Sequence, residues 1–438
     1  MKNYESKALQ VFGKSAVHKW LTRDAGIPRV PRYAAEWLVG YFCQPGNEAA
    51  GLKSVREAVA CHVPEPERRH ALLQRLRVEG KVHLYDLVEA RVDLKSNRVL
   101  AKLSNLGVDD VSVPDRAVKR IPQLLVGGGV WCCIDLTYCP DDRKYPIHIY
   151  SISAFQDTVD PDQFKSARQH FTTDEWIDLL LASVGYEPER FTPRQKLLLL
   201  VRLAPVVEGN LNLVELGPRQ TGKTFLLRNV APSCYTASGS QVTAASLFAN
   251  VSTGVPGVLA SYKTVVMDEI AHTTIDDLAT ISIMKDYLES GQFSRGGRVY
   301  TSDASLVMAG NLDVEGGQPS GRYRHLFEPL PFGLQDTALL DRIHGYLPGW
   351  EIPVLQPSSI STGVGLTTDY VGQVLQYLRK RDMRASCYPV LQRLGLPLTT
   401  RDYRAVEKIS SAMLKLLFPD ERHSFADLSK IVVLALEL

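Results

Sequence analysis

Residues Glu215 to Leu227 read ELGPRQTGKTFLL, and the eight at the centre, Gly217-Pro218-Arg219-Gln220-Thr221-Gly222-Lys223-Thr224, fit the pattern G-x-x-x-x-G-K-T. Such a loop carries meaning only between a buried strand and a helix. Upstream, LNLVEL is a short apolar run of strand type; downstream, FLLRNV looks like a first amphipathic helical turn. In that setting the loop amides and the positive end of the helix face the β- and γ-phosphates of a nucleotide. Lys223 is the point charge among them, and Thr224 the hydroxyl placed to ligate Mg²⁺.

The loop needs a carboxylate partner, and KTVVMDEIA (Lys263–Ala271) supplies one. Buried parallel strands read as near-continuous apolar runs, so TVVM is expected to be a central strand with Asp268 and Glu269 at its carboxyl end, where open α/β sheets bind ligands. Asp268 would hold Mg²⁺ through its water shell, and Glu269 would polarise the attacking water. The two motifs together are a Walker A and Walker B pair. A third strand, SLVMAGN, ends in Asn311, an amide suited to sensing the γ-phosphate or the lytic water; its spacing fits an extra strand between the two Walker strands. Further on, TALLDRIHGYLP places Arg342 after a short apolar helix, available to a neighbouring subunit's γ-phosphate. The plainer alternatives are an asparagine capping a strand end and an arginine pairing with Asp341. Arg401, in TTRDYRAV, is a weaker candidate for a second sensor, with Arg404 as its rival.

Composition bounds the rest. The 438 residues suffice for two or three domains, and 45% hydrophobic with 22% charged residues is a globular balance. No apolar run reaches membrane-spanning length and MKNYESKALQVFGK lacks the apolar stretch of a signal peptide, so a cytoplasmic location without membrane contact is expected. Seven scattered cysteines form no C-x-x-C pair, which points to reduced thiols rather than a disulfide framework or a zinc site. A net charge of +2 makes any nucleic-acid surface a local matter.

Four regions follow from the texture of the chain. Residues 1–80 read as helical, with Tyr33, Trp37, Leu38 and Tyr41 on one face of VPRYAAEWLVGYFC and a second helix ending at Gly80. Residues 81–157 alternate apolar and polar positions around a Lys-Ser-Asn turn and a Pro-Asp-Asp turn, a small β-domain for which an OB-type barrel is one solution. Residues 158–355 form an α/β P-loop ATPase core, and 356–438 a helical lid and C-terminal segment.

Loop, acid pair, Asn-ended strand and late arginine, in this order, resemble the AAA+ ATPases. MKDYLESGQFSRGGRVYTSDASLVMAGN and YTASGSQVTAASL are similar to the corresponding stretches of the minichromosome maintenance helicases, whose sensor strand follows a β-hairpin lining a central pore. LTRDAGIPRVPRYAAEWLVGYFC, NLVELGPRQTGKT, IMKDYLESGQFSRG and RDYRAVEKISSAMLKLLFP resemble BrxL, the Lon-related family of bacteriophage-exclusion (BREX) systems, from about residue 8 to 430. The resemblance implies an ATP- and Mg²⁺-dependent ring, commonly a hexamer or two stacked hexamers, acting on DNA in phage defence alongside other BREX proteins. Longer members continue into a Lon-like peptidase-type domain; this chain offers no room for a Ser-Lys peptidase, so no protease activity is expected of it.

For DNA, the hairpin candidate GQFSRGGRVY sets Arg295 and Arg298 around a Gly296-Gly297 turn. Arginine contacts to phosphates give sequence-independent affinity. The basic stretches ERRHALLQRLR and RAVKR are weaker candidates, and Tyr33 and Trp37 read as core rather than as base-stacking platforms. A DNA-binding scaffold that uses ATP only to close the ring and a protein unfoldase remain open as other readings.

Overall fold

A computed structural model of the chain describes all residues except 1, 25–29, 44–45, 126–127, 157–158, 231–233, 239–242, 274 and 276, and omits the side chains of 23–24, 228–230 and 238. The quoted stretches 21–43 and 235–247 and the expected boundary at 157/158 therefore fall partly outside the described residues. Two compact units result: Val17–Thr158 with Thr367–Tyr370, and Met1–Ala16 with Val159–Leu366 and Val371–Leu438.

The smaller unit joins helices to a barrel. Helix α1 (Arg32–Phe42) buries Ala34, Ala35, Leu38 and Val39. On the face expected to be aromatic, Tyr41 is 70% exposed and stacked on Trp37 at 5.5 Å, while Trp37 is half-buried against Phe155 at 4.8 Å. Small residues let the helix approach its neighbours closely, and the large rings are left at its edge. Helix α2 (Glu48–His62) packs against it, and α3 (Arg69–Glu79) ends at Gly80, whose φ of 75° is a left-handed cap. Strands β1 (Lys81–Asp93), β2 (Arg98–Leu103), β3 (Val108–Val113), β4 (Val130–Tyr138) and β5 (Ile147–Ala154) close into a barrel in the order β1-β2-β3-β5-β4. Long β1 serves two neighbours, with Val88 opposite both Leu103 of β2 and Val130 of β4. Buried Asp86 accepts hydrogen bonds from the amides of Leu87, Asn105 and Leu106 at 2.7–2.8 Å, which pins the turn after β2. Elsewhere in this unit Glu36 is fully buried, bonded by Lys19 Nζ at 2.8 Å, Arg32 Nε at 2.9 Å, and Thr368 through both its amide and hydroxyl at 2.6 Å.

In the larger unit, α4 (Thr173–Ser183) and α5 (Pro193–Val201) each open with a capping box, Thr172/Glu175 and Thr192/Gln195, which satisfies their first amides. They lead into a five-stranded sheet built from β6 (Leu213–Gly217), β7 (Cys234–Ser238), β8 (Thr264–Asp268), β11 (Ser305–Asn311) and β12 (Gly345–Pro348), all parallel, in the order β12-β6-β11-β8-β7. Helix α6 (Phe225–Val230) follows β6, and α7 (Leu278–Ser290) runs from its Asp277 cap to Gly291 (φ 71°). Between α7 and β11 stands the hairpin β9 (Gln292–Arg295) and β10 (Arg298–Thr301), whose turn residues Gly296 and Gly297 both have positive φ, the requirement of a two-residue I′ turn. Short α8 (Thr337–Leu340) precedes β12, and α9 (Thr400–Leu417) and α10 (Phe425–Glu437) pack on each other near the end of the chain. Strand β6 is buried throughout, and β11 is buried up to Gly310, as expected of central strands with both faces covered. No helix of the described residues is long and apolar enough to cross a membrane, and all seven cysteines are free thiols.

Candidate nucleotide-binding site

Parallel registry brings the predicted residues together. Asn311 lies opposite Gly217 across the β11–β6 ladder, and β11 also pairs with β8, so the ends of three adjacent strands deliver Asn311, the glycine loop and Asp268 to one edge of the sheet. A 680 Å³ cleft there is lined by Arg219 to Phe225, Asp268, Glu269, His272 and Asn311.

The loop holds its shape through contacts the sequence did not announce. Gln220 (φ 64°) and Gly222 (φ 73°) both adopt left-handed conformations, a backbone type found in anion-binding loops. A Cβ on Gly217 would lie 2.5 Å from the carbonyl carbon of Gly349, so only glycine fits where the strand leaves the sheet. Beneath the loop, Arg202 is buried and forms a forked pair with Glu215, at 3.0 and 2.5 Å. Its remaining nitrogen donates to the Thr221 carbonyl at 3.0 Å, the Gly222 carbonyl at 3.3 Å and the Tyr186 hydroxyl at 3.2 Å. The one sequence clue was Glu215 itself, an acid inside an otherwise apolar strand, which demands a cationic partner.

Lys223 folds back on the loop, donating from Nζ to the carbonyls of Gly217 at 3.1 Å and Pro218 at 2.7 Å. Burial pushes its pKa down, against the opposing pull of Glu215 and Asp268. A half-buried ammonium held by neutral carbonyls is a receptor for an anion, which fits a polyphosphate. Glu269, at the turn after β8, takes φ 53° and ψ 42°, and its amide donates to Asp268 Oδ1 at 3.0 Å. The oxygen donors gathered here, the Thr224 hydroxyl, the Asp268 and Glu269 carboxylates and the Asn311 amide, are hard ligands of the kind Mg²⁺ takes together with water and phosphate oxygens. Among the described residues no cluster of three or more His, Cys, Asp or Glu could hold a metal unaided.

Arg342 and Arg401 do not line this cleft. Both line a second pocket, of 550 Å³, with Glu289, Asp341, Arg384, Arg404 and Lys408 among its walls. The expected alternative for Arg342, a pair with Asp341, gives way to another arrangement: Asp341 binds Arg401, while Arg342 Nε lies 3.2 Å from Glu289 Oε2. Arg401 and its rival Arg404 both reach Glu289, at 3.1 and 2.9 Å. Burial, reinforced by Lys408, Arg404 and Arg384, holds the His344 imidazole well below its ordinary pKa, and burial brings Lys408 down to about 8. At the hairpin, Arg298 is exposed, whereas Arg295 is half-buried and donates from Nε to the Ala249 carbonyl at 2.8 Å. On α3, Arg69 bonds the Gly107 carbonyl and Arg75 pairs with Glu79; just before it, Arg68 pairs with Glu65.

Comparison with known proteins supplies the family. Residues 147–438 match the family described as Lon-like protease BrxL-like, ATPase domain, and residues 10–138 the BREX system Lon protease-like protein BrxL N-terminal family. Lon-like protease BrxL of Escherichia coli O9:H4 (strain HS) is 35% identical over 99% of this chain, and that of Bacillus cereus (strain H3081.97) is 34% identical over 97%. The chain spans 64% of the length of each of these relatives. Among solved structures, a full-length MCM homolog from Methanopyrus kandleri aligns with 82% of this chain and 76% of its own, at 14% identity and a TM-score of 0.44. By family match and by identity along nearly its whole length, the chain belongs to the BrxL family of Lon-like BREX proteins and carries that family's N-terminal and ATPase domains.

Proposed function

We propose that this chain is a cytoplasmic AAA+ ATPase that assembles into a ring, a hexamer or stacked hexamers, and couples ATP hydrolysis to movement or remodelling of DNA in BREX defence. The observation that carries this reading is the division of the site. The cleft gathers the glycine loop with Lys223 and Thr224, Asp268 and Glu269, while Arg342 and Arg401 line a different pocket. A strand inserted between the two Walker strands supports the AAA+ assignment, with the helical segment 356–438 as lid. A second copy can then bring either arginine to the bound nucleotide, which favours a closed ring of repeated interfaces.

In this reading the loop amides and Lys223 hold the β- and γ-phosphates, Thr224 and Asp268 position Mg²⁺, and the metal, when bound, neutralises charge on the phosphates. Glu269 orients and polarises the attacking water, and Asn311 hydrogen-bonds that water or the γ-phosphate. The barrel order β1-β2-β3-β5-β4 supports an OB-type platform for nucleic acid, and the hairpin presents Arg298, with half-buried Arg295 beside its turn. One feature favours a polypeptide instead: Val299, beside Arg298, is 70% exposed.

Replacing Arg295 and Arg298 together by alanine tests the DNA contact. Ring formation and basal ATPase should persist, while the slope of log affinity against log salt falls by roughly 0.9 for each duplex phosphate no longer neutralised. An unchanged slope would move the DNA-binding surface elsewhere, to α3 first. Failure of the unaltered protein to bind DNA at all would leave the polypeptide reading.

A further inference from the structure

The second pocket is organised around one carboxylate. Glu289, in the last turn of α7, receives Arg404 Nη1 on Oε1 at 2.9 Å and Arg401 Nη2 on Oε2 at 3.1 Å, and Arg342 Nε lies 3.2 Å from Oε2. Asp341 takes the other arm of Arg401, so three guanidinium groups face two carboxylates. Asp303 and Glu407 also line the pocket, yet Arg342 Nε is buried and, despite its nearness to Glu289, makes no hydrogen bond. An acid in a helix's last turn is disfavoured by the negative end of the helix dipole, so the arginines are what stabilise Glu289 there. Two guanidinium groups bonded to one planar carboxylate, with a third beside it unsatisfied at Nε, suit a phosphate, with more oxygens spread over a tetrahedron, better.

Glu289 is also joined to the hairpin. Two residues on, Gly291 donates to Tyr287 O and accepts from the Ser302 amide, both at 2.8 Å, and the Gln292 amide donates to Ser290 Oγ at 3.1 Å. A Cβ on Gly291 would sit 2.7 Å from Ser302 O, and Tyr287 OH donates to Ala304 O at 2.7 Å. The end of α7 and the base of β9–β10 therefore form one stiff piece.

We propose that Glu289 is an internal anion occupying the arginine cluster, and that phosphate arriving from a nucleotide on a second copy displaces it, freeing the end of α7 and with it the hairpin. Glu289 is thus a positioning residue that makes the hairpin's setting depend on whether the cluster holds phosphate. The inference rests on the trans-acting arginine reading above and adds the link from that interface to the hairpin.

The test uses inorganic pyrophosphate and the full chain carrying Lys223→Ala, so that the glycine-loop cleft is disabled and the arginine pocket remains. Pyrophosphate should increase hydrogen exchange of the hairpin amides, residues 292–301. Adding Glu289→Gln should raise that exchange before any pyrophosphate is present and lower the pyrophosphate midpoint about tenfold, the scale of one charge-assisted bond no longer competed for. Arg404→Ala, at the exposed edge of the cluster, should likewise loosen the hairpin and weaken pyrophosphate binding, which keeps the idea testable if the glutamine variant folds poorly. Hairpin exchange and pyrophosphate affinity unaltered by Glu289→Gln, or an unmoved hairpin in Arg404→Ala, would overturn it. The reading beneath is judged separately, by mixing Arg342→Ala with Lys223→Ala subunits and measuring ATPase recovery. Recovery with an unmoved hairpin sinks the latch alone; a moved hairpin without recovery sinks the trans-acting arginine alone.

Discussion

Glu215→Gln is the sharpest probe of how the glycine loop is supported. The side chains of Arg202 and Glu215 are only 1% and 4% exposed, and they are joined by two hydrogen bonds. Removing the negative charge leaves a guanidinium buried without a counter-charge, a loss of about 3–5 kcal/mol. Glutamine keeps the volume and one acceptor, which places the expected loss at about 3 kcal/mol, or a fall in Tm on the order of 5 °C for a unit of this size. Thermal and urea unfolding of the full chain measure it. Replacing both partners, Arg202→Met with Glu215→Leu, should recover most of that stability, because neither charge is then desolvated. Nucleotide affinity should not recover, because the Thr221 and Gly222 carbonyls lose the donor that fixes the loop. A single variant within about 1 kcal/mol of the parent, or a double variant that binds ATP as the parent does, would refute the buttress.

Two further outcomes are expected. Lys223→Ala should abolish ATP binding, while Glu269→Gln should still bind ATP and lose turnover, since one removes the phosphate's charge partner and the other only the water's activator; direct binding and single-turnover assays separate them. In the smaller unit, burial alone would raise the pKa of Glu36, but Lys19 and Arg32, helped by hydrogen bonds from Lys19 and Thr368, hold it below the ordinary value. An acid depressed in the folded state adds stability above its unfolded pKa of about 4.3 and loses it as pH falls through the folded value, so unfolding of the parent should steepen below about pH 4 and the Glu36→Gln variant should lack that dependence.

The candidate cleft was legible because its residues are local: eight consecutive residues form the glycine loop, and apolar runs of strand length end in Asp268 and Asn311. What lay beyond reach depends on contacts far apart in the chain. Arg202 sits on the turn after α5, and nothing in LLLLVRLAP announces a guanidinium under the loop; Tyr186 is more distant still. Glu289 reads as one more helix acid until folding brings Arg342, Arg401 and Arg404 to it. The hairpin was readable from its paired glycines, but not the tether of Arg295 to Ala249. Strand β3 was missed because VDDVSV alternates too weakly.

Whether ATP turnover is coupled to DNA is decided by the steady-state ATPase rate of the purified chain, measured with and without single-stranded and duplex DNA. The expected result is Mg²⁺-dependent hydrolysis that DNA accelerates and that Lys223→Ala eliminates. Hydrolysis indifferent to both forms of DNA, or surviving in Lys223→Ala, would contradict the proposed function.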